Sequence, residues 1–273
     1  MPRVYLNGEL VDPADAVISV FDHGLVTGDG AFESVVIRNG RPFALSRHLE
    51  RLERSARAIG LRLPPPGELA QAAARVADTM AGPSGKLRIT VTSGLGPLGS
   101  GRTDSSPTVI VACEESPGGP EIGSVSVVPW PKSERGALAG AKTISYAENV
   151  VALARARESG ASEGLFFNLA GNLCEGTGSN VFVGLDGRLV TPPLSSGCLA
   201  GVTRALVLEI TDAVEAAVTR DERARADELF LTSTTRGVQP VELVDGVPLA
   251  HCPGPLTEAA SEAFAVLVER GVD

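Results

Sequence analysis

Three tight hairpin signatures constrain this chain before anything else does. Val4 to Val11 is an apolar run broken at Asn7-Gly8. Ala31 to Arg38 is followed by Asn39-Gly40 and then Arg41 to Leu45. Asn180 to Gly184 leads through Asp186-Gly187 into Arg188 to Thr191. Asn-Gly and Asp-Gly supply the left-handed residues that a two-residue hairpin needs, so each run is expected to fold back as antiparallel strands. Helical periods lie between them. Ser46 reads as the N-cap of a helix to Ile59, with Leu49, Leu52, Ala56 and Ile59 on one face and Gly60 as its stop. A second helix is expected from Gly67 to Met80. Leu87 to Thr92 and Thr108 to Ala112 read as strands, joined through the glycine-rich loop Gly94 to Arg102.

Residues 114–123 are rich in Pro, Gly and Glu and read as a linker. This predicts an N-terminal domain over 1–113 and a C-terminal domain over 124–273. In the latter, Val125 to Val128 reads as a strand, and a helix after Lys142 runs to Ser159. A meander is expected from Leu165 to Thr191, then a helix from Val202 to Ile210. Leu229 to Ser233 reads as a strand and Leu256 to Arg270 as a closing helix.

The net charge of −9 disfavours nucleic acid and anionic membranes as partners. No apolar run is long enough for a membrane span, and the start enters a strand pattern directly, so a cytoplasmic protein is expected. Cys113, Cys174, Cys198 and Cys252 form no CxxC pair and read as free thiols. With three histidines, no metal centre is expected.

Only three of the 24 basic residues are lysines: Lys86, Lys132 and Lys142. Arginine cannot be deprotonated in a protein and forms no Schiff base, whereas lysine can. Lys142 precedes a helix-like run. Glu175 sits among small residues in Cys174-Glu175-Gly176-Thr177-Gly178-Ser179-Asn180. Gly197 to Arg204 opens a helix whose N–H groups suit an anion, with the Thr203 hydroxyl beside them. Ser233-Thr234-Thr235-Arg236 is hydroxyl-rich. A lysine, a carboxylate and a phosphate cradle are what pyridoxal phosphate requires.

With these pieces in order, the sequence resembles the fold-type IV pyridoxal-phosphate enzymes, or class IV aminotransferases. The likeness rests on Phe21-Asp22-His23-Gly24 through Glu33, His48 to Leu52, Lys142 to Val150, Glu175 to Asn180, and Thr191 through Arg204. It implies an α+β fold of two domains, a small N-terminal α/β domain and a larger C-terminal one with a barrel-like mixed sheet. The cofactor, pyridoxal 5'-phosphate, is expected in the cleft between them, and a homodimer is expected.

The resemblance makes Lys142 the Schiff-base lysine and pairs Glu175 with the pyridine nitrogen. Arg51, the backbone of Val202 and Thr203, and Thr234 are to hold the phosphate. Tyr146, Ser179 and Asn180 are to line the cofactor. By spacing alone, Arg51 reads instead as a solvated helix arginine, Glu175 as a hairpin charge and Tyr146 as core.

Two reactions share these motifs. One is amino transfer between an amino acid and a 2-oxo acid. The other is cleavage of 4-amino-4-deoxychorismate to 4-aminobenzoate and pyruvate. A cofactor-free binding protein is the reading outside enzymology. Ser93 stands where D-amino-acid aminotransferases keep an arginine for the substrate carboxylate. Arg102 or Arg236, with Thr235, are the candidates to replace it.

Overall fold

A computed structural model describes residues 3–65, 67–116 and 121–273. These fall into two compact units. The first holds the N-terminal part of the chain, with Ala141–Tyr146 and Val272–Asp273. The second holds Ala147–Gly271 and the stretch preceding Ala141. Of the expected linker, Glu114 and Glu115 are strand residues, Gly123 begins the next strand, and residues 117–120 lie outside the described residues. The Lys142 segment, expected with the C-terminal domain, groups with the first unit.

The first unit is a six-stranded sheet in the order β2-β1-β6-β5-β3-β4. Its strands are β1 (Val4–Leu6), β2 (Glu9–Val11), β3 (Gly30–Arg38), β4 (Arg41–Pro42), β5 (Ser84–Thr92) and β6 (Thr108–Glu115). Its helices are α1 (His23–Val26), α2 (Leu45–Ala58) and α3 (Glu68–Ala77). Both expected hairpins form, with Asn7 and Asn39 at φ 49° and a positive-φ glycine after each. Ala31, Val35 and Ile37 of β3 and Leu87, Ile89 and Val91 of β5 point to one face. There they pack against Leu52 and Ala56 of α2 and Ala72, Ala73 and Val76 of α3.

Ser46 is not the N-cap of α2. That position falls to Ala44, in the left-handed region and without a side-chain cap. The orphan donors are met from the chain's end instead: Ala44 N–H donates to the Val272 carbonyl and Ser46 N–H to the Asp273 carboxylate. The buried face of α2 is His48, Arg51, Leu52, Ser55 and Ala56. The spacing is helical, but three of the five are polar, and each of the three has a role in the site below.

The second unit is a nine-stranded, curled mixed sheet. Its path is β12-β11-β10-β13-β14-β7-β8-β9, with β15 beside β14. The strands are β7 (Gly123–Val127), β8 (Glu163–Phe167), β9 (Leu173–Gly176), β10 (Asn180–Leu185), β11 (Arg188–Thr191), β12 (Val214–Glu215), β13 (Glu228–Ser233), β14 (Gly237–Val244) and β15 (Val247–Pro248). Helices α4 (Ala147–Glu158), α5 (Val202–Ile210), α6 (Arg220–Ala224) and α7 (Pro255–Arg270) accompany them.

The expected meander is interrupted. β8 pairs with β9 and β10 with β11, but β10 takes β13 as its other neighbour, in register from Asn180–Thr232 to Gly184–Glu228. The helices α5 and α7 fall within a residue of expectation. The short α6 carries a full capping box, Thr219 with Glu222, a signal present in the sequence and not used. Among the described residues, no helix is long and apolar enough to cross a membrane, and no group of His, Cys, Asp or Glu could hold a metal ion.

Candidate active site

Lys142 belongs to the first unit because its backbone is sewn to β3. Its N–H donates to Ser55 Oγ at 3.0 Å, and its carbonyl accepts from Phe32 N–H at 3.1 Å. Thr143 bridges Ala31, and Ile144 N–H donates to the Gly30 carbonyl at 3.0 Å. The segment thus occupies the edge of β3 that β4, being short, leaves open. A Cβ at position 30 would lie 2.5 Å from the Val91 carbonyl and 2.9 Å from Ile144 Cδ1, so this approach requires glycine. The Lys142 amine lies 4.3 Å from the centroid of the Phe32 ring and 5.9 Å from that of Tyr146. Those two rings meet edge to face at 5.4 Å. Arg88, on the neighbouring strand, lays its guanidinium 3.7 Å from the same Phe32 centroid.

Behind β3, on the helix-facing side, Glu33 is fully buried. Arg51 Nε and Nη2 donate to its two oxygens at 2.8 and 2.7 Å, and His48 Nδ1 lies 2.8 Å from Oε2. Burial alone would push the Glu33 carboxyl up. The Arg51 charge and hydrogen bonds, with those of His48, outweigh it and hold the pKa at about 2. Burial lowers His48 despite the opposing pull of Glu33. Arg51 is therefore no solvated helix arginine: it is 4% exposed, and two of its nitrogens serve Glu33.

In the second unit, Glu175 sits on β9, 8% exposed. Its Oε2 accepts from Leu199 N–H at 2.8 Å, and its Oε1 lies 3.5 Å from Lys132 Nζ. It is no surface hairpin charge. Lys132 also reaches Asn149 Oδ1 at 3.3 Å and Glu148 at 3.4 Å. The sequence reading passes over Lys132, though the scarcity of lysine marks it as much as Lys142. Asn180 donates to the Leu199 carbonyl at 2.8 Å, which fixes the same loop from the other side. The helix α5 starts at Val202 with Gly201 as N-cap and no side-chain cap, so Val202, Thr203 and their neighbours bring donors that no capping side chain takes up. A Cβ on Gly201 would collide with Asn180 Oδ1.

Thr234, Thr235 and Arg236 form the turn between β13 and β14. Arg236 is tied on three sides, to Ser233 Oγ at 3.1 Å, Gln239 Oε1 at 2.9 Å and Glu163 at 2.5 Å. Glu163, 3% exposed, also accepts from Gly178 N–H and Ser179 Oγ at 2.7 and 2.8 Å. This one carboxylate thus joins the turn that follows Glu175 to the turn that carries Thr234. Ser179 serves that link. Arg236→Ala is expected to lower stability by about 2 kcal/mol, the worth of a charged hydrogen bond. In a Glu163→Gln background the same change should cost less than half of that in a urea double-mutant cycle.

Arg102, the other candidate for the substrate carboxylate, forks onto Asp29 at 2.7 and 2.5 Å and donates to the Gly60 carbonyl at 2.7 Å. The Arg102 hydrogen bond lowers the Asp29 pKa. Ser93 donates to the same carboxylate at 2.7 Å, so it completes this cluster in place of an arginine.

An amine on an aromatic pair in the first unit, and a buried carboxylate held by a backbone N–H with a helix start without a capping side chain in the second, are each groups that pyridoxal phosphate can use, and the residues of each unit fit their part of it. Comparison with known proteins agrees. The family model for amino-transferase class IV matches residues 30–244. A Methanocaldococcus jannaschii protein provisionally named a branched-chain-amino-acid aminotransferase is 33% identical, over 96% of this chain and 95% of its own. A D-alanine aminotransferase of Bacillus licheniformis is 32% identical, with the same coverage of both. The crystal structure of a branched-chain aminotransferase from the archaeon Thermoproteus uzoniensis, with norvaline, superposes with a TM-score of 0.90. It is 30% identical and covers 98% of this chain and 94% of that one. The similar solved structures include a branched-chain amino acid aminotransferase with pyridoxamine 5'-phosphate. The fold defines a fold-type IV aminotransferase scaffold. The chain belongs to the class IV aminotransferases.

Proposed function

We propose that this protein transfers an amino group between an amino acid and a 2-oxo acid, with pyridoxal 5'-phosphate joined to the Lys142 amine. The observation that carries this reading is the anchoring of Lys142. Hydrogen bonds on both sides of its backbone, to Ser55 and Phe32, fix the residue while its amine extends over the Phe32–Tyr146 pair.

Bound pyridoxal phosphate supplies an electron sink that acidifies the substrate's α C–H bond. Lys142 Nζ, freed when the substrate's amine takes its place, would take that proton and return it, as general base and then acid. Glu175 partners the ring nitrogen, its own charge balanced by Leu199 N–H and Lys132. Tyr146 borders the amine. The start of α5 at Val202 and Thr203, with Thr234 and Arg51, holds the phosphate, and Ser179 and Asn180 fix the loops around Glu175. A second copy of the chain is part of this reading. It is supported by the exposed apolar run Val17, Val20, Phe21 and Leu25 of the first unit.

The curated relatives carry aminotransferase names, which favours transfer over cleavage. The test is a product assay. Leucine and both alanine enantiomers, each with 2-oxoglutarate or pyruvate, are expected to yield the matching 2-oxo acid. Formation of 4-aminobenzoate from aminodeoxychorismate, with no transfer from any donor, would replace this reading with the lyase one.

A further inference from the structure

We propose that Arg236 is a positioning residue for the cofactor: paired with the buried Glu163, it holds the turn of Thr234 in register with the turn that follows Glu175. The inference rests on the reading of Glu175 and Thr234 given above and extends it.

The core-facing rows of three strands turn polar at one end of the second unit. On β8 the row of Phe167 and Leu165 ends at Glu163, on β13 the row of Leu229 and Leu231 ends at Ser233, and on β14 Gln239 precedes Val241. Arg236 closes this end. Its side chain folds back from the turn onto Ser233 of the strand before it, Gln239 of the strand after it, and Glu163 across the sheet. Strand β7 lies between β14 and β8. It begins at Gly123, where a Cβ would stand 3.2 Å from the Gln239 amide carbon. On the far side, Glu163 Oε1 accepts from Gly178 N–H and Ser179 Oγ. A Cβ on Gly176 would stand 2.6 Å from that same oxygen, so glycine next to Glu175 lets the Glu163 carboxylate lie there.

Stability alone does not account for this arrangement. A buried ion pair adds little over apolar side chains of the same shape, because both charges must leave water. The side chains of Glu163 and Arg236 are 4% and 17% exposed. What the pair adds is direction. Glu163 Oε1 serves the turn between β9 and β10, and Oε2 serves the turn between β13 and β14. Moving either turn therefore disturbs the bonds that hold the other. Arg236 already has three acceptors, one of them a buried carboxylate with which a substrate's carboxylate would have to compete.

The experiment follows cofactor release from the full-length holoenzyme after dilution, as loss of long-wavelength absorbance, well below the unfolding temperature. The protein is loaded with pyridoxal 5'-phosphate or with pyridoxal, which lacks the phosphate. Wild type, Arg236→Ala, Arg236→Lys and Glu163→Gln are compared. The wild type should hold the phosphorylated form longer. Arg236→Ala and Glu163→Gln should each release pyridoxal 5'-phosphate about 10- to 100-fold faster, the size of the effect of one charged hydrogen bond. Arg236→Ala should release pyridoxal at nearly the wild-type rate, since Glu163 keeps Gly178 and Ser179. Arg236→Lys should recover part of the difference. Release of pyridoxal 5'-phosphate from Arg236→Ala at the wild-type rate would overturn the proposal. In that case a lowered Tm alone would make Arg236 a packing residue, and a raised KM for alanine but not for 2-aminopropane would make it a substrate residue. Equal acceleration of both forms would overturn it too, as a general loosening. A wild type that holds the two forms equally would overturn the reading of the phosphate groups, and this inference with it.

Discussion

Lys142→Ala is expected to reduce amino transfer by roughly a hundred- to ten-thousand-fold, the usual worth of a positioned general base. The fold should survive. The backbone bonds that place residue 142, to Ser55 and Phe32, do not involve its side chain. The loss includes a cation over two rings, worth about 1 kcal/mol at a partly exposed site. The variant should therefore unfold within a few degrees of the wild type while transferring almost no amine. Lys86→Ala is the control. Lys86 makes a long ion pair with the exposed Glu114 at 3.9 Å and has no part in the site, so its loss should leave transfer unaltered. Comparable activity in Lys142→Ala and Lys86→Ala would refute the assignment of the amine.

Glu33→Gln is expected to act on stability rather than chemistry first. Glu33 is the buried anion for Arg51, which is itself 4% exposed. Neutralising one member of such a pair leaves the other uncompensated, at a cost of about 3–5 kcal/mol. For a protein of this size that corresponds to a fall of roughly 6–20 °C in Tm.

The same cluster sets the response to acid. The folded Glu33 carboxyl, at about 2, lies below its ordinary 4.5. The unfolded chain therefore takes up the proton first as pH falls. The stabilisation is complete above pH 4.5 and is lost between 4.5 and about 2. His48, whose pKa is lowered by burial, adds an earlier loss that sets in as pH falls through its ordinary 6.5. Thermal unfolding monitored by circular dichroism between pH 8 and pH 3 should show the wild type losing stability in these two stages. Glu33→Gln should lack the lower one. Superimposable pH profiles would show that the carboxylate is not held as described.

The parts legible in the sequence were local. Asn7-Gly8, Asn39-Gly40 and Asp186-Gly187 announced hairpins because the left-handed conformation they adopt depends on little beyond the residues themselves. Helices α5 and α7 followed from apolar spacing. What could not be read came from distant partners. The N-terminal donors of α2 are met by residues at the chain's end, so Ser46 was not needed as a cap. The carboxylate that engages Arg102 stands 73 residues away, at Asp29, and the one that engages Arg236 at Glu163. Neither arginine's partner is visible along the chain. Arg88 drew no notice because its place over the Phe32 ring depends on the β3–β5 register. One further signal was readable: His48, Arg51 and Ser55 interrupt an otherwise apolar buried stripe, and polar residues on such a stripe need partners.

The scarcity of lysine makes the central claim directly measurable. The protein should be yellow as purified or after addition of pyridoxal 5'-phosphate. Borohydride reduction should fix the cofactor to the chain, and the modified peptide can be identified by mass spectrometry. With only Lys86, Lys132 and Lys142 available, the account predicts the adduct on Lys142 alone. An adduct on Lys132, which lies beside Glu175, or no adduct on a protein saturated with the cofactor, would contradict it.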